Sequence, residues 1–132
     1  MIFLRGGTVL TMDAGRAVRR ADVLIEGNRI AQVKRRSPPR GARVIDCGGK
    51  AILPGLIQAH VHLCQVLFRN QADGLELLDW LQKRIWPLEA AHDPRSLGFS
   101  ARLGIAELLL GGTTAVLDMA TVHHTEALLR AV

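Results

Sequence analysis

The chain has 132 residues, 48% of them hydrophobic, and a formal net charge of +5. That length supports one modest domain with a core of its own, and that apolar content argues against disorder. No apolar run approaches the ~18 residues that cross a bilayer, and Met1-Ile2-Phe3-Leu4-Arg5-Gly6-Gly7 breaks too soon for a secretory leader, so the expectation is no membrane association and a cytoplasmic protein.

Residues 2–12 read as a strand pair or one bent strand, with Ile2 and Leu4 before Gly6-Gly7 and Val9 and Leu10 after. Residues 22–34 give the clearest hairpin. Val23-Leu24-Ile25-Glu26 leads into Gly27-Asn28, and Arg29-Ile30-Ala31-Gln32-Val33 leads back. Gly and Asn both tolerate the positive φ of a two-residue turn. Ile30 and Val33 alternate imperfectly, which leaves the register open. Ser37-Pro38-Pro39 breaks any strand. Val44-Ile45-Asp46 and Ala51-Ile52-Leu53 are short strands around a Gly48-Gly49 turn, so residues 1–54 read as all-β.

Basic residues cluster at Arg16, Arg19, Arg20 and at Lys34, Arg35, Arg36, Arg40. They fall at strand ends and in the proline loop, where solvated charge is normal. Tyr is absent and the three Phe do not interleave with them, so no base-stacking platform and no nucleic-acid partner are expected. Cys47 and Cys64 form no Cys-x-x-Cys pair and read as free thiols. Cys64 lies two residues past His62, close enough for a metal-ligand role. A small buried wall residue is the better reading.

After Pro54-Gly55 the pattern changes. Leu56-Ile57-Gln58-Ala59-His60 is a short, mostly apolar strand, read as buried. Residues 75–86 show helical spacing through Leu75, Leu78, Leu81 or Gln82, and Ile85, with Pro87 ending the helix or forcing a turn. Asp93-Pro94 is an N-cap followed by a first-turn proline. Leu97, Ala101, Gly104, Ile105, Leu108 and Leu109 line one face of the following helix, which Gly111-Gly112 stops. Thr113–Leu117 is a second buried strand ending at Asp118, and another amphipathic helix begins near Thr125. Strand, helical crossover, strand, helix is a βα repeat that expects a parallel sheet. A closed (β/α)₈ barrel takes ~250 residues, so this reads as part of a longer protein or a truncated reading frame.

The organising stretch is Ile52-Leu53-Pro54-Gly55-Leu56-Ile57-Gln58-Ala59-His60-Val61-His62. Side chains of a strand alternate, so His60 and His62 point one way and Val61 the other. Two imidazoles on one face at a strand end can grip one metal ion. Zinc commonly takes His nitrogens, and a catalytic zinc keeps a position open for water. The bland alternative is two satisfied strand histidines.

Asp46-x-x-Gly49-x-x-x-x-Pro54-Gly55-x-x-x-x-His60-x-His62 after a small all-β segment resembles the amidohydrolase superfamily. Leu67–Asp73, Leu77–Leu81, Ile85–Glu89 and Leu117–Thr125 look like its deaminase branch for 5′-modified adenosines, the methylthioadenosine/S-adenosylhomocysteine and 5′-deoxyadenosine deaminases. Asn70, where that branch usually has Gly, and Gly74, where it has Asp, depart from the pattern.

The resemblance implies an α/β fold in which residues 1–54 are a β-sandwich segment and residues 55–132 the first βα units of a (β/α)₈ TIM barrel, incomplete here. It implies that His60 and His62 are metal ligands for one divalent ion, zinc with iron as the alternative. The other ligands and the acid–base residues would lie outside this chain, and the chain alone would be inactive. Water made acidic by the metal would attack C6 of the purine and ammonia would leave. Glu89 matches a substrate-binding Glu that accepts from the ribose hydroxyls, against the plain reading of a solvated Glu at a helix start. A homo-oligomer acting on a small-molecule nucleoside is implied. The alternatives are a free-base deaminase of the guanine type, a triazine-type hydrolase, or an inert fragment.

Trp80 and Trp86 could wall the purine or the 5′ substituent, but at helical spacing core or interface is the better reading. Asp118 reads as a structural hydrogen-bonding group, and His92 as part of the cap ahead of Asp93. No chemistry is expected of Arg69, His123 or His124.

Overall fold

Gly6-Gly7 neither divides the first strand nor leaves it regular. In the computed structural model, which describes residues 1–132, β1 runs unbroken over Ile2–Leu10, but its register against the next strand slips between Leu4 and Gly7. Gly6 absorbs the irregularity at φ +74°, a conformation that costs a glycine little. Its amide donates to Asp22 Oδ1 at 2.7 Å, and Asp22 Oδ2 takes the Arg36 amide at 2.9 Å. This buried carboxylate, 8% exposed, ties the bulge to the chain beyond the hairpin.

β2 (Val18–Glu26) pairs antiparallel with β1, and β3 (Arg29–Val33) returns on β2 through Gly27-Asn28, with Gly27 at φ +58°. The hairpin register shifts between Leu24 and Ile25, which accounts for the broken alternation of Ile30 and Val33. β4 (Arg43–Asp46) and β5 (Ala51–Ile52) both lie parallel to β1. Val9, Ala21 and Val23 form the core of this unit, Met1–Pro54, with Leu4, Ile25, Val33 and Ile52 packed around them. All seven clustered basic residues are exposed.

In the second unit, Gly55–Val132, β6 (Leu56–Val61) and β7 (Thr113–Asp118) pair in parallel, as a βα crossover requires. The expectation of two buried strands does not hold. Ile57 is 75% and Leu117 61% exposed, because two strands with helical cover on one side leave their other face open.

A short 3-10 helix over Leu63–Phe68 follows β6 directly. Its Leu63 and Cys64 are the centre of the unit's core, against Leu97 and Ala101 of α3 (Pro94–Leu110, the third α-helix) and Leu128 of α4 (Thr125–Leu129).

Between these elements, α1 (Leu77–Trp80) continues through a wider π turn at Leu81–Ile85 into α2 (Trp86–Ala90). Pro87 therefore does not end the helix. The Trp86 amide reaches Leu81 O, five residues back, so the turn widens just ahead of the proline ring. Of the expected apolar face, Ile85 is buried while Leu78 is 66% exposed.

α3 has the expected ends. Asp93 Oδ1 accepts from the Ser96 amide at 2.7 Å, Ser96 Oγ accepts from the Asp93 amide at 3.1 Å, and Pro94 opens the first turn. No helix of the chain is long and apolar enough to cross a membrane.

Candidate active site

β6 carries His60, and His62 follows one residue past its end on the same side. Their Nε2 atoms lie 3.2 Å apart, with ring centroids 5.1 Å apart and planes at 62°. One N–H···N bond could span that gap, and so could one cation. Two nitrogens each about 2.0–2.1 Å from a tetrahedral zinc stand about 3.3–3.4 Å apart, close to what is found here. His62 Nδ1 is buried with no hydrogen-bond partner in the protein, so only the Nε2 side of that ring is engaged. The donor set, two imidazoles on a firm strand end, fits a borderline divalent ion.

The pair opens on a cleft of about 410 Å³ that also takes in Gln65, Phe68, Trp80 and Ile85. Trp80, read from sequence as core or interface, stands on this wall, while Trp86 is half exposed and away from it. Arg69, also on the wall, holds Glu107 through both terminal nitrogens. Asn70 sits at φ +64° and Gly74 at φ +78°. Asn is among the side chains that best tolerate the left-handed region, so a glycine position can carry it without remaking the loop.

Glu89 is not a solvated helix-start residue. It is 7% exposed, and its Oε1 accepts from Gln65 Nε2 at 2.8 Å and from Cys64 Sγ at 3.4 Å. Gln65 lines the cleft and Glu89 does not. His62, Cys64 and Glu89 present donor atoms within 4.8 Å of one another. The Cys64 thiol is nevertheless pushed up to about 12, chiefly by burial and then by the Glu89 carboxylate beside it. Its single S–H lies toward Ala120 O at 2.9 Å, with Glu89 Oε1 second at 3.4 Å, the contacts of a buried wall residue.

Asp118 ties the two strand ends together. Oδ1 accepts from the Leu63 amide at 2.8 Å and Oδ2 from the Ala120 amide at 3.0 Å, while the Met119 amide reaches Val61 O at 2.8 Å. His123 and His124 are exposed and stand off the cleft wall.

The sequence gives little warning of His92. It is 7% exposed, its Nε2 lies 2.8 Å from Cys64 O and its Nδ1 2.9 Å from Ser96 Oγ, and its ring stacks on Phe68 with centroids 4.9 Å apart. Only its place one residue before the Asp93 cap hinted at the Ser96 contact.

Comparison with known proteins agrees with this geometry. The chain is 42% identical over 105 residues to a 5′-deoxyadenosine deaminase of Methanothrix thermoacetophila, covering 80% of this chain and 25% of the relative. It is 46% identical over 102 residues to a 5-methylthioadenosine/S-adenosylhomocysteine deaminase of Thermococcus kodakarensis, covering 77% and 24%. The chain thus spans about a quarter of the length of the curated relatives it matches. Among solved structures it resembles the zinc complex of atrazine chlorohydrolase from Arthrobacter aurescens TC1, with TM-score 0.86 and 31% identity over 99% of this chain and 33% of that one. The amidohydrolase family profile matches residues 51–132, the stretch that holds the paired histidines, the cleft and Asp118. On the family profile's match and the likeness of fold together, the chain belongs to the amidohydrolase family.

Proposed function

We propose that the protein is a metal-dependent hydrolytic deaminase of adenosine-type nucleosides such as 5′-deoxyadenosine, methylthioadenosine or S-adenosylhomocysteine. The observation that carries this reading is the convergence of His60 Nε2 and His62 Nε2 at 3.2 Å on the edge of an open cleft. The names of the relatives supply the substrate class. His60 and His62 would hold one divalent ion, zinc before iron. When bound, such an ion supplies a water acidified enough to ionise near neutral pH.

The chain's own residues shape the ground around that position. Asp118 fixes the backbone just past His62, at the exit of β6. Gln65 and Cys64 engage Oε1 of Glu89 and leave Oε2 without a protein donor. Glu89 stands behind Gln65 rather than on the cleft wall, and the role we propose for it is to accept a ribose hydroxyl with that second oxygen once Gln65 gives way; a carboxylate acceptor there favours nucleosides over free bases. No residue of this chain is assigned proton transfer. We read residues 1–54 as a β-sandwich segment and residues 55–132 as barrel βα units, in a cytoplasmic homo-oligomer with no nucleic-acid partner.

The likeness to a triazine hydrolase favours a second reading, hydrolysis of a substituted triazine in the same cleft. Glu89→Ala separates the two. Loss of a charged acceptor lowers kcat/KM for 5′-deoxyadenosine about 10- to 100-fold, with little effect on a free base or a triazine. Equal losses on all three would remove Glu89 from substrate binding and with it the main support for a nucleoside.

A further inference from the structure

We infer that His92 is a positioning residue for the cleft: locked as its Nε2–H tautomer, it holds the turn that carries Gln65 and Phe68 beside the histidine pair. The tautomer follows from the partners. Cys64 O can only accept, so His92 Nε2, 2.8 Å away, must carry the proton. In the neutral ring Nδ1 is then an acceptor, and the one proton of the Ser96 hydroxyl can serve it at 2.9 Å in preference to Asp93 O at 3.2 Å. Ser96 Oγ in turn accepts from the Asp93 amide, so the capping box of α3 holds the hydroxyl that faces Nδ1.

On its other side the ring is sealed. His92 stacks on Phe68 at 30° between planes, and Ser100 Oγ reaches Leu63 O at 2.8 Å and Cys64 O at 3.1 Å. The carbonyls of Leu63 and Cys64 are therefore held from α3 and the residue pair before it, while the Leu63 amide is held by Asp118. Gln65 comes next in the chain, and Gln65 and Phe68 are both on the cleft wall. Two buried carbonyls at the first turn after a ligand-bearing strand leave that turn little freedom, and His92 is the one aromatic tie among the groups holding it.

The consequence for turnover rests on the nucleoside reading above, whereas the tautomer does not. Imidazole ¹⁵N spectra of the wild-type protein should show His92 protonated on Nε2 and bare on Nδ1, and Ser96→Ala, which leaves Cys64 O in place, should keep the proton on Nε2. A wild-type ring protonated on Nδ1 overturns the inference. In the catalytic assay of the whole protein, His92→Gln keeps an amide donor where Nε2 stood and holds KM for 5′-deoxyadenosine within about twofold. His92→Asn places its amide where Nδ1 stood, loses the Cys64 bond, and raises KM roughly tenfold, the worth of one buried hydrogen bond, with zinc affinity unchanged. If the two variants lose stability but share the wild-type KM, or raise KM equally, His92 is merely structural and the inference fails. This chain alone is expected to be inactive, so turnover is read in the whole protein that supplies the remaining ligands; if that protein shows none, the nucleoside reading fails instead, and the ¹⁵N result alone decides for or against the locked ring.

Discussion

Asp118→Asn isolates what holds the strand ends together. The substitution keeps the shape of the side chain and removes one acceptor. The carboxylate of Asp118 accepts from two backbone amides, Leu63 N at 2.8 Å and Ala120 N at 3.0 Å. An asparagine has one oxygen and one NH₂, so whichever way it turns, an N–H faces an N–H. Leu63 is fully buried, so water cannot replace the lost acceptor on that side. Hydrogen bonds to charged groups are worth ~1.5–3 kcal/mol, and Asp118 is partly exposed, so about 2 kcal/mol is expected for the lost bond. For a chain of this size that is a fall in Tm of roughly 6–10 °C. Urea unfolding at fixed m-value measures it, with Asp118→Ala as the variant that loses both bonds and falls further. An Asp118→Asn midpoint equal to wild type would refute the account of how β6 and β7 are joined.

Gly55→Ala should destabilise by ~1–3 kcal/mol, because a Cβ there would lie 2.1 Å from Thr114 Oγ1 and 2.3 Å from Thr114 Cγ2. Pairing it with Thr114→Gly should restore part of the loss in a double-mutant cycle, and full additivity would show that the contact is not the cause. Cys47 and Cys64 are both buried and free, so the native protein should resist a thiol reagent at pH 8 and the unfolded chain should react at both sites; rapid native labelling of Cys64 would contradict its place as a buried wall residue. The Asp93 carboxyl is held below the usual range, first by the Ser96 backbone amide. Its stabilising effect is therefore full above the unfolded carboxyl's pKa and lost as pH falls through the lowered folded value. The stability gap between wild type and Asp93→Ala should close in acid, and a gap that stays constant would argue against the cap.

The parts of the fold legible in the sequence are those where one residue type has one local use. Gly27-Asn28 specifies a hairpin turn, Asp93-Pro94 a helix start, and Gly111-Gly112 a helix stop, and the structure has each. His60 and His62 were legible because period-two alternation alone puts them on one side. What stayed hidden depends on distant partners. Leu63–Phe68 carries neither strand nor helix period, and it becomes a 3-10 helix because Leu63 and Cys64 fill the core under α3. Pro87 read as a helix end because its missing N–H forbids an ordinary turn, and the π turn ahead of it is a tertiary accommodation. Asp22 and His92 are polar residues whose burial comes from chain segments 14 and 28 residues away. Glu89 was legible as a residue to watch, but not its partner Gln65 or its place off the cleft wall.

The central claim is that residues 60 and 62 grip one divalent cation through Nε2. Zinc titration of the ¹⁵N-labelled protein, followed at the imidazole nitrogens, tests it most directly. His60 Nε2 and His62 Nε2 should shift together and saturate at one ion per chain, with His92, His123 and His124 unmoved, and His60→Asn or His62→Asn should abolish the response. Zinc that leaves both Nε2 signals in place, or that settles on His123 and His124, would contradict it.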